Sequence, residues 1–164
     1  MNTATLVSLI AIATAAVIAF LAHGYLAKRQ PEYPNARVIA VFALLGGSTG
    51  GLPVALLIWL AEFATHHPFA SNTLMFYVYL GGVLGGAVGS LPATLCGALL
   101  AKKRLTRTRS NILAAAGYGA LFGAAAGAVS LNPFAVLWLA LAGGLSAAVL
   151  SVIALPKAKY SESK

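Results

Sequence analysis

Five of the chain's eleven Lys and Arg residues lie in one short segment, Lys102-Lys103-Arg104-Leu105-Thr106-Arg107-Thr108-Arg109. Two further stretches, Lys28–Arg37 and Lys157–Lys164, hold three each. Between these basic stretches the chain is almost continuously apolar. Lys and Arg are retained on the cytoplasmic flanks of membrane-spanning helices, so this pattern predicts an integral membrane protein together with its orientation.

The composition excludes an ordinary soluble domain. Hydrophobic residues make up 60% of the chain and charged residues only 9%, far from the usual soluble range. A net charge of +8 is compatible with nucleic-acid binding, but the basic residues flank apolar runs of spanning length. We therefore expect contact with anionic lipid headgroups and no nucleic acid. A single cysteine, Cys96, excludes an internal disulfide.

Five apolar runs are long enough to cross a hydrocarbon core, which takes about 20 helical residues. The runs lack the alternation of a barrel strand, so we expect them to be helical. The predicted fold is all-α, a single domain over residues 1–164 that forms a bundle of five transmembrane helices. The predicted spans are Thr5–Ala27, Val38–Phe63, Thr73–Ala101, Ile112–Val129 and Phe134–Leu155.

The distribution of charge predicts the direction of each span. All eleven Lys and Arg lie in the first link, the third link and the tail, and the links Glu62–Asn72 and Ser130–Pro133 have none. We therefore expect an outside N-terminus and a cytoplasmic C-terminus, in the inner membrane of a bacterium. The first span could instead be a cleaved signal peptide. However, its positive charges follow the apolar run, at Lys28 and Arg29, which favours a retained helix.

Glycines recur every four residues on the third and fourth predicted spans. Such spacing makes a smooth helix face that lets another backbone approach closely. Two interpretations stay open, namely packing within the chain, and a face for self-association or for a helix of a partner protein. The residues concerned are Gly81, Gly85, Gly89, Gly119, Gly123 and Gly127.

An internal repeat links the second and third predicted spans. The segment Leu45–Leu56 recurs 39 residues later as Leu84–Leu95, with most of its Gly, Leu and Pro positions matching. Because the copies lie on successive spans, they run in opposite directions through the bilayer. Pro53 and Pro92 each remove an intrahelical hydrogen bond, so we expect a helix break that frees the carbonyl four residues earlier.

These predicted helix breaks have two interpretations. Paired, inverted Gly/Pro-interrupted segments are typical of a transporter site near the bilayer midplane. The alternative is a pair of ordinary helices whose freed carbonyls accept hydrogen bonds from nearby hydroxyls or from a neighbouring helix. The residues of this candidate site are Ser48, Thr49, Pro53, Ser90, Pro92 and Thr94.

Ionisable residues are scarce in the predicted spans. Glu62 lies near the outer end of the second span and His23 near the inner end of the first, which argues against a proton-coupled antiporter or a voltage sensor. Glu62, His66 and His67 have metal-ligand character, but three ligands in one exposed link need a fourth from elsewhere. We expect interfacial polar residues there, with no metal and no cofactor.

The sequence favours a non-enzymatic function. No catalytic or nucleotide-binding motif stands in a plausible context, and almost no mass lies outside the bilayer. We expect a small membrane protein that binds another membrane protein through its Gly-lined helix faces, as an accessory subunit or an immunity-type inhibitor would. The alternative is a small channel or transporter organised around the inverted Gly-Leu-Pro helix breaks.

The charge distribution gives a direct test of topology. In a Cys96→Ala background, a cysteine introduced at Asn72 should react with a membrane-impermeant maleimide in intact cells, because its link carries no Lys or Arg. A cysteine introduced at Thr106 should react only after permeabilisation. Labelling at position 72 that requires permeabilisation would contradict the predicted orientation.

Overall fold

The structure is a computed structural model that describes residues 3–65, 71–129 and 131–157. The first two helices are long. The third span consists of two α-helices, α3 and α4, joined without a break by a π-helical turn. The elements are α1 Thr3–Arg29, α2 Asn35–Thr65, α3 Ser71–Tyr79, the π turn Leu80–Leu84, α4 Gly85–Lys102, α5 Arg109–Ala128 and α6 Pro133–Ala154.

The predicted bundle of five spanning helices is confirmed. In the described part of the chain, five helices are long and apolar enough to cross a membrane. Their ends lie within about three residues of the predicted ones. For example, α5 begins at Arg109, before the predicted Ile112, because the Thr108 side chain accepts a hydrogen bond from the Asn111 backbone N–H and caps the helix. The protein is therefore a multi-pass membrane protein.

The last two spans form a tight antiparallel hairpin. Pro133 opens α6 at a position where its missing N–H is harmless, and the Asn132 side chain accepts a hydrogen bond from Phe134 N at 2.9 Å. Leu131 adopts a left-handed conformation with φ of 54°, which reverses the chain between the helices. Helices α5 and α6 make an extensive contact, as α2 and the third span also do.

Helix α2 lies centrally, in contact with α1, with the third span and with α6. Helix α5 packs against α6 and α4. The large buried side chains lie in the half of the bundle that adjoins the basic stretches. Members of this core are Leu26, Val38, Ile39, Phe42, Cys96, Leu100, Ala115, Ala147 and Leu150.

The three basic stretches meet at one end of the bundle. The Tyr33 hydroxyl donates to the Leu105 carbonyl at 2.7 Å, and the Arg107 backbone N–H donates to the Pro156 carbonyl at 2.7 Å. Burial raises the pKa of Tyr33 to about 12, so its hydroxyl remains a proton donor even in mildly alkaline solution. We call this the basic end, comprising the described residues 28–37, 102–109 and 155–157.

The helix breaks expected at Pro53 and Pro92 are not found. Both prolines lie inside helices that continue past them, α2 and α4. The irregular stretch is the π turn Leu80–Leu84, which the sequence analysis did not predict. A proline removes only its own N–H bond, and a packed membrane helix tolerates that loss when neighbours satisfy the backbone.

Candidate functional site

The two copies of the repeat pack against each other. A Cβ placed on Gly47 would lie 2.5 Å from the carbonyl oxygens of Gly85 and Gly86, and one on Gly89 would lie 2.6 Å from Gly47 Cα. A Cβ on Gly85 would lie 2.9 Å from Gly51 Cα. All these distances are shorter than van der Waals contact, so glycine is required on both helices. The repeat therefore forms the contact surface between α2 and the third span.

Ser48 joins this contact to the π turn. The Gly85 backbone N–H donates to the carbonyls of both Leu80 and Gly82, the long bond being the one that defines the π turn. The Ser48 hydroxyl, on α2, donates a second hydrogen bond to the Gly82 carbonyl at 3.0 Å. One candidate residue predicted from sequence thus binds the irregular backbone of the neighbouring span, although not at the proline site expected. Such π turns are frequent at functional sites.

The other hydroxyls of the predicted helix-break site bond within their own helices. Their acceptors are not the carbonyls of Thr49 or Val88, which the prolines leave without a helical partner. Thr94 is fully buried, whereas Thr49 is partly buried. The observed bonds are Thr49 Oγ1 to Leu45 O at 2.6 Å, Ser90 Oγ to Ala87 O at 2.8 Å and Thr94 Oγ1 to Ser90 O at 2.7 Å.

The second glycine row faces α6. A Cβ on Gly127 would lie 2.6 Å from Val136 Cα, and one on Gly123 would collide with the Leu139 carbonyl oxygen. Gly119 meets α6 at the Gly143 carbonyl, and Gly143 is a contact that the sequence analysis missed. The four-residue spacing of Leu139, Gly143 and Ala147 could have indicated that this face of α6 contacts α5. With Gly81, Gly85 and Gly89 against α2, all six predicted glycines lie against another helix of the same chain.

Between these two helix pairs lies a groove with a volume of about 300 Å³. It extends from Cys96 in the core to Tyr77 towards the opposite end, about 28 Å at the usual rise per helical residue. That length approaches the roughly 30 Å of a hydrocarbon core. Glycine and alanine make up about half of its lining residues, and no charged side chain is among those described. Val88 and Trp138, 53% and 41% exposed, border it.

The groove is closed towards the basic end. The Ser146 hydroxyl on α6 donates to the Gly46 carbonyl on α2 at 2.7 Å, and this bond is buried. On the other side, Leu100 of α4 and Ala115 of α5 belong to the same buried core. The two helix pairs are therefore joined beside the core, and the groove lies in the remaining length of the bundle.

The metal-ligand candidates do not form a described site. Glu62 lies exposed near the end of α2 away from the basic end. His66 and His67 lie outside the described residues. The ranges that the structure describes contain no group of three His, Cys, Asp or Glu side chains able to hold a metal ion.

The fold and the groove define a class, a multi-pass helical membrane protein with an apolar groove between two glycine-packed helix pairs. Comparison of the chain with protein families, with curated proteins and with solved structures found no match.

The glycine contacts predict a graded effect on stability. Gly85→Leu and Gly123→Leu should each lower the free energy of unfolding by about 1–3 kcal/mol or more, because the new side chains force helix backbones apart. Gly117→Leu is the matched control, since a Cβ there meets nothing within 4 Å. Thermal unfolding in detergent measures all three. If Gly85→Leu and Gly123→Leu melt at the temperature of Gly117→Leu, the packing account is wrong.

Proposed function

We propose that this protein is a non-enzymatic membrane protein that binds another membrane protein by receiving one face of a partner transmembrane helix in the groove. An accessory subunit or an immunity-type inhibitor would act in this way. We place it in the bacterial inner membrane, with the basic end in the cytoplasm. The observation that carries the proposal is an apolar groove that runs along most of a bilayer's thickness.

The walls of the groove suit a helix. In a bilayer, lipid acyl chains fill an open apolar groove when no protein occupies it. A partner helix must therefore make better packing contacts with the groove than the acyl chains that it displaces. Close packing at glycine within the two helix pairs supplies walls with little side-chain entropy to lose. A helix face with protruding aliphatic side chains makes many dispersion contacts with such walls. Rigid, small-residue surfaces are typical of helix association in membranes.

The links support recognition inside the bilayer. Between α1 and α2 the link is Gln30–Pro34, and between α4 and α5 it is Lys103–Thr108. Neither is long enough to fold into a separate binding surface. A partner that recognises this chain specifically is therefore expected to meet its helices.

The competing proposal of a channel or transporter has weaker support. A permeation path for ions needs polar groups directed into it. The groove lining is apolar, and Thr49 is absent from it while its hydroxyl bonds to Leu45 O. The Cys96 thiol, the Tyr77 hydroxyl, the Trp138 indole and the Ser146 hydroxyl are the polar side-chain groups of the described lining. Of these, Ser146 already donates to Gly46.

Two adjacent alanines on α5 give a sharp test of the groove. Ala126 lines the groove, whereas Ala125 is exposed and does not. A photo-reactive phenylalanine at position 126, expressed in the native host, should form one discrete adduct with a partner protein. The same group at position 125 should give only lipid or diffuse products.

Blocking the groove makes this test specific. Val88→Trp should fill the groove and abolish the adduct from position 126, because Val88 borders the groove. Val83→Trp is the matched control, since Val83 is equally exposed but lies outside the lining.

An adduct that survives Val88→Trp would refute partner binding in the groove. An adduct with the mass of two copies would assign the groove to self-association. Solute flux by the purified protein alone in liposomes, lost on Thr49→Val, would overturn the proposal in favour of transport.

A further inference from the structure

Two arginines hold the end of α6. Arg37 Nη2 donates to the Ile153 carbonyl at 2.7 Å, and Arg107 Nη1 donates to the Val152 carbonyl at 2.8 Å. These carbonyls belong to consecutive residues in the last turn of α6, where carbonyls lack intrahelical partners. Both guanidinium groups are therefore bound at the same end of α6, on successive carbonyls.

The chain that follows α6 passes the same place. The Arg107 backbone N–H donates to the Pro156 carbonyl at 2.7 Å, so the backbone of Lys157 lies close to that of Arg107. Arg37, Arg107 and Lys157 are all exposed. Each comes from a different basic stretch of the sequence, so the fold collects one cation from every stretch at one helix end. We call these three residues the cation cluster.

The cation cluster is not neutralised by the groups that hold it. Carbonyl oxygens carry no formal charge, and a helix C-terminus offers only about half a negative charge. Within the described ranges, the basic end holds one acidic residue, Glu32, against nine Lys and Arg. Each guanidinium has five N–H donors and uses one in its observed bond, so donors remain for an anion.

An exposed apolar stripe leads away from the cluster along α6. Leu145, Val149, Val152 and Ile153 are 60%, 51%, 44% and 51% exposed. Their spacing of four, seven and eight residues from Leu145 puts them on one helix face. Val152 and Ile153 are also the residues whose carbonyls hold the arginines, so the stripe begins where the cations stand.

We propose that the cation cluster binds the phosphodiester of an anionic membrane lipid, whose acyl chain lies along this stripe. Arginine forks match phosphate oxygens in a bidentate manner, and the neighbouring apolar face distinguishes a lipid from a free phosphate ion. The site is separate from the groove, and its occupation does not depend on a partner protein.

Lipid binding to the purified protein tests the proposal. In detergent, native mass spectrometry with added phosphatidylglycerol should show binding that is about tenfold tighter than binding of phosphatidylcholine. Arg37→Gln/Arg107→Gln should lose most of that preference. Lys28→Gln/Lys102→Gln is the matched control, because it removes the same charge from the basic end outside the cluster. Lys157→Gln, which leaves the α6 carbonyl bonds intact, should weaken binding several-fold without lowering the melting temperature.

Three results would overturn the proposal. Equal losses in the cluster variant and in its control would show attraction by net charge alone. Displacement of phosphatidylglycerol by millimolar inorganic phosphate would assign the cluster to a free anion. An unchanged affinity in Lys157→Gln, together with an unfolded Arg37→Gln/Arg107→Gln, would reduce the arginines to a structural role at the end of α6.

Discussion

The structure depends on the close approach of helix backbones at glycine. Where α2 crosses the third span, Gly47 and Gly51 stand against Gly85 and Gly89, and a Cβ at any of them would overlap the opposite backbone. The same constraint joins α5 to α6. In a bilayer, apolar surface gains nothing by leaving lipid for another apolar surface, so helices associate through packing and weak polar contacts. Glycine rows provide that packing, and they fix which helices form pairs.

The groove follows from this pairing. Close packing at glycine joins the helices within each pair. The two pairs meet beside the core, where Ser146 donates to the Gly46 carbonyl. Large side chains fill the bundle near the basic end, whereas glycine and alanine leave space along the rest of its length. The Arg37 and Arg107 bonds to α6 add polar links across the basic end, where water reaches the backbone. These contacts hold the two helix pairs together at the basic end. The groove between the pairs therefore stays open along the rest of the bundle, although no large side chain fills it.

The sequence predicted the fold more completely than the site. Charge and hydropathy decide the spans because the cost of burying Lys or Arg in lipid exceeds every local preference. Glycine spacing correctly placed Gly85 and Gly123 at helix faces but could not say which helix they would meet, since that depends on how all five spans assemble. The proline rule was wrong for helix breaks at Pro53 and Pro92, because the loss of one hydrogen bond is smaller than the cost of opening a packed helix in lipid. The π turn Leu80–Leu84 and the groove arise from tertiary packing, which leaves no periodic signal.

A disulfide between α2 and the third span would show directly whether these two helices meet at their glycines. A Cβ on Gly86 would lie 2.9 Å from Ser48 Oγ, a separation that suits a disulfide between cysteines at these two positions. In a Cys96→Ala background, Ser48→Cys/Gly86→Cys should form this intramolecular bond rapidly under mild oxidation. Intact-protein mass spectrometry would then show the loss of two hydrogen atoms. Ser48→Cys/Gly117→Cys should not, because Gly117 meets nothing within 4 Å. If the first pair remains reduced while both thiols react with a membrane-permeant maleimide, α2 and the third span do not meet at their glycines and the account fails.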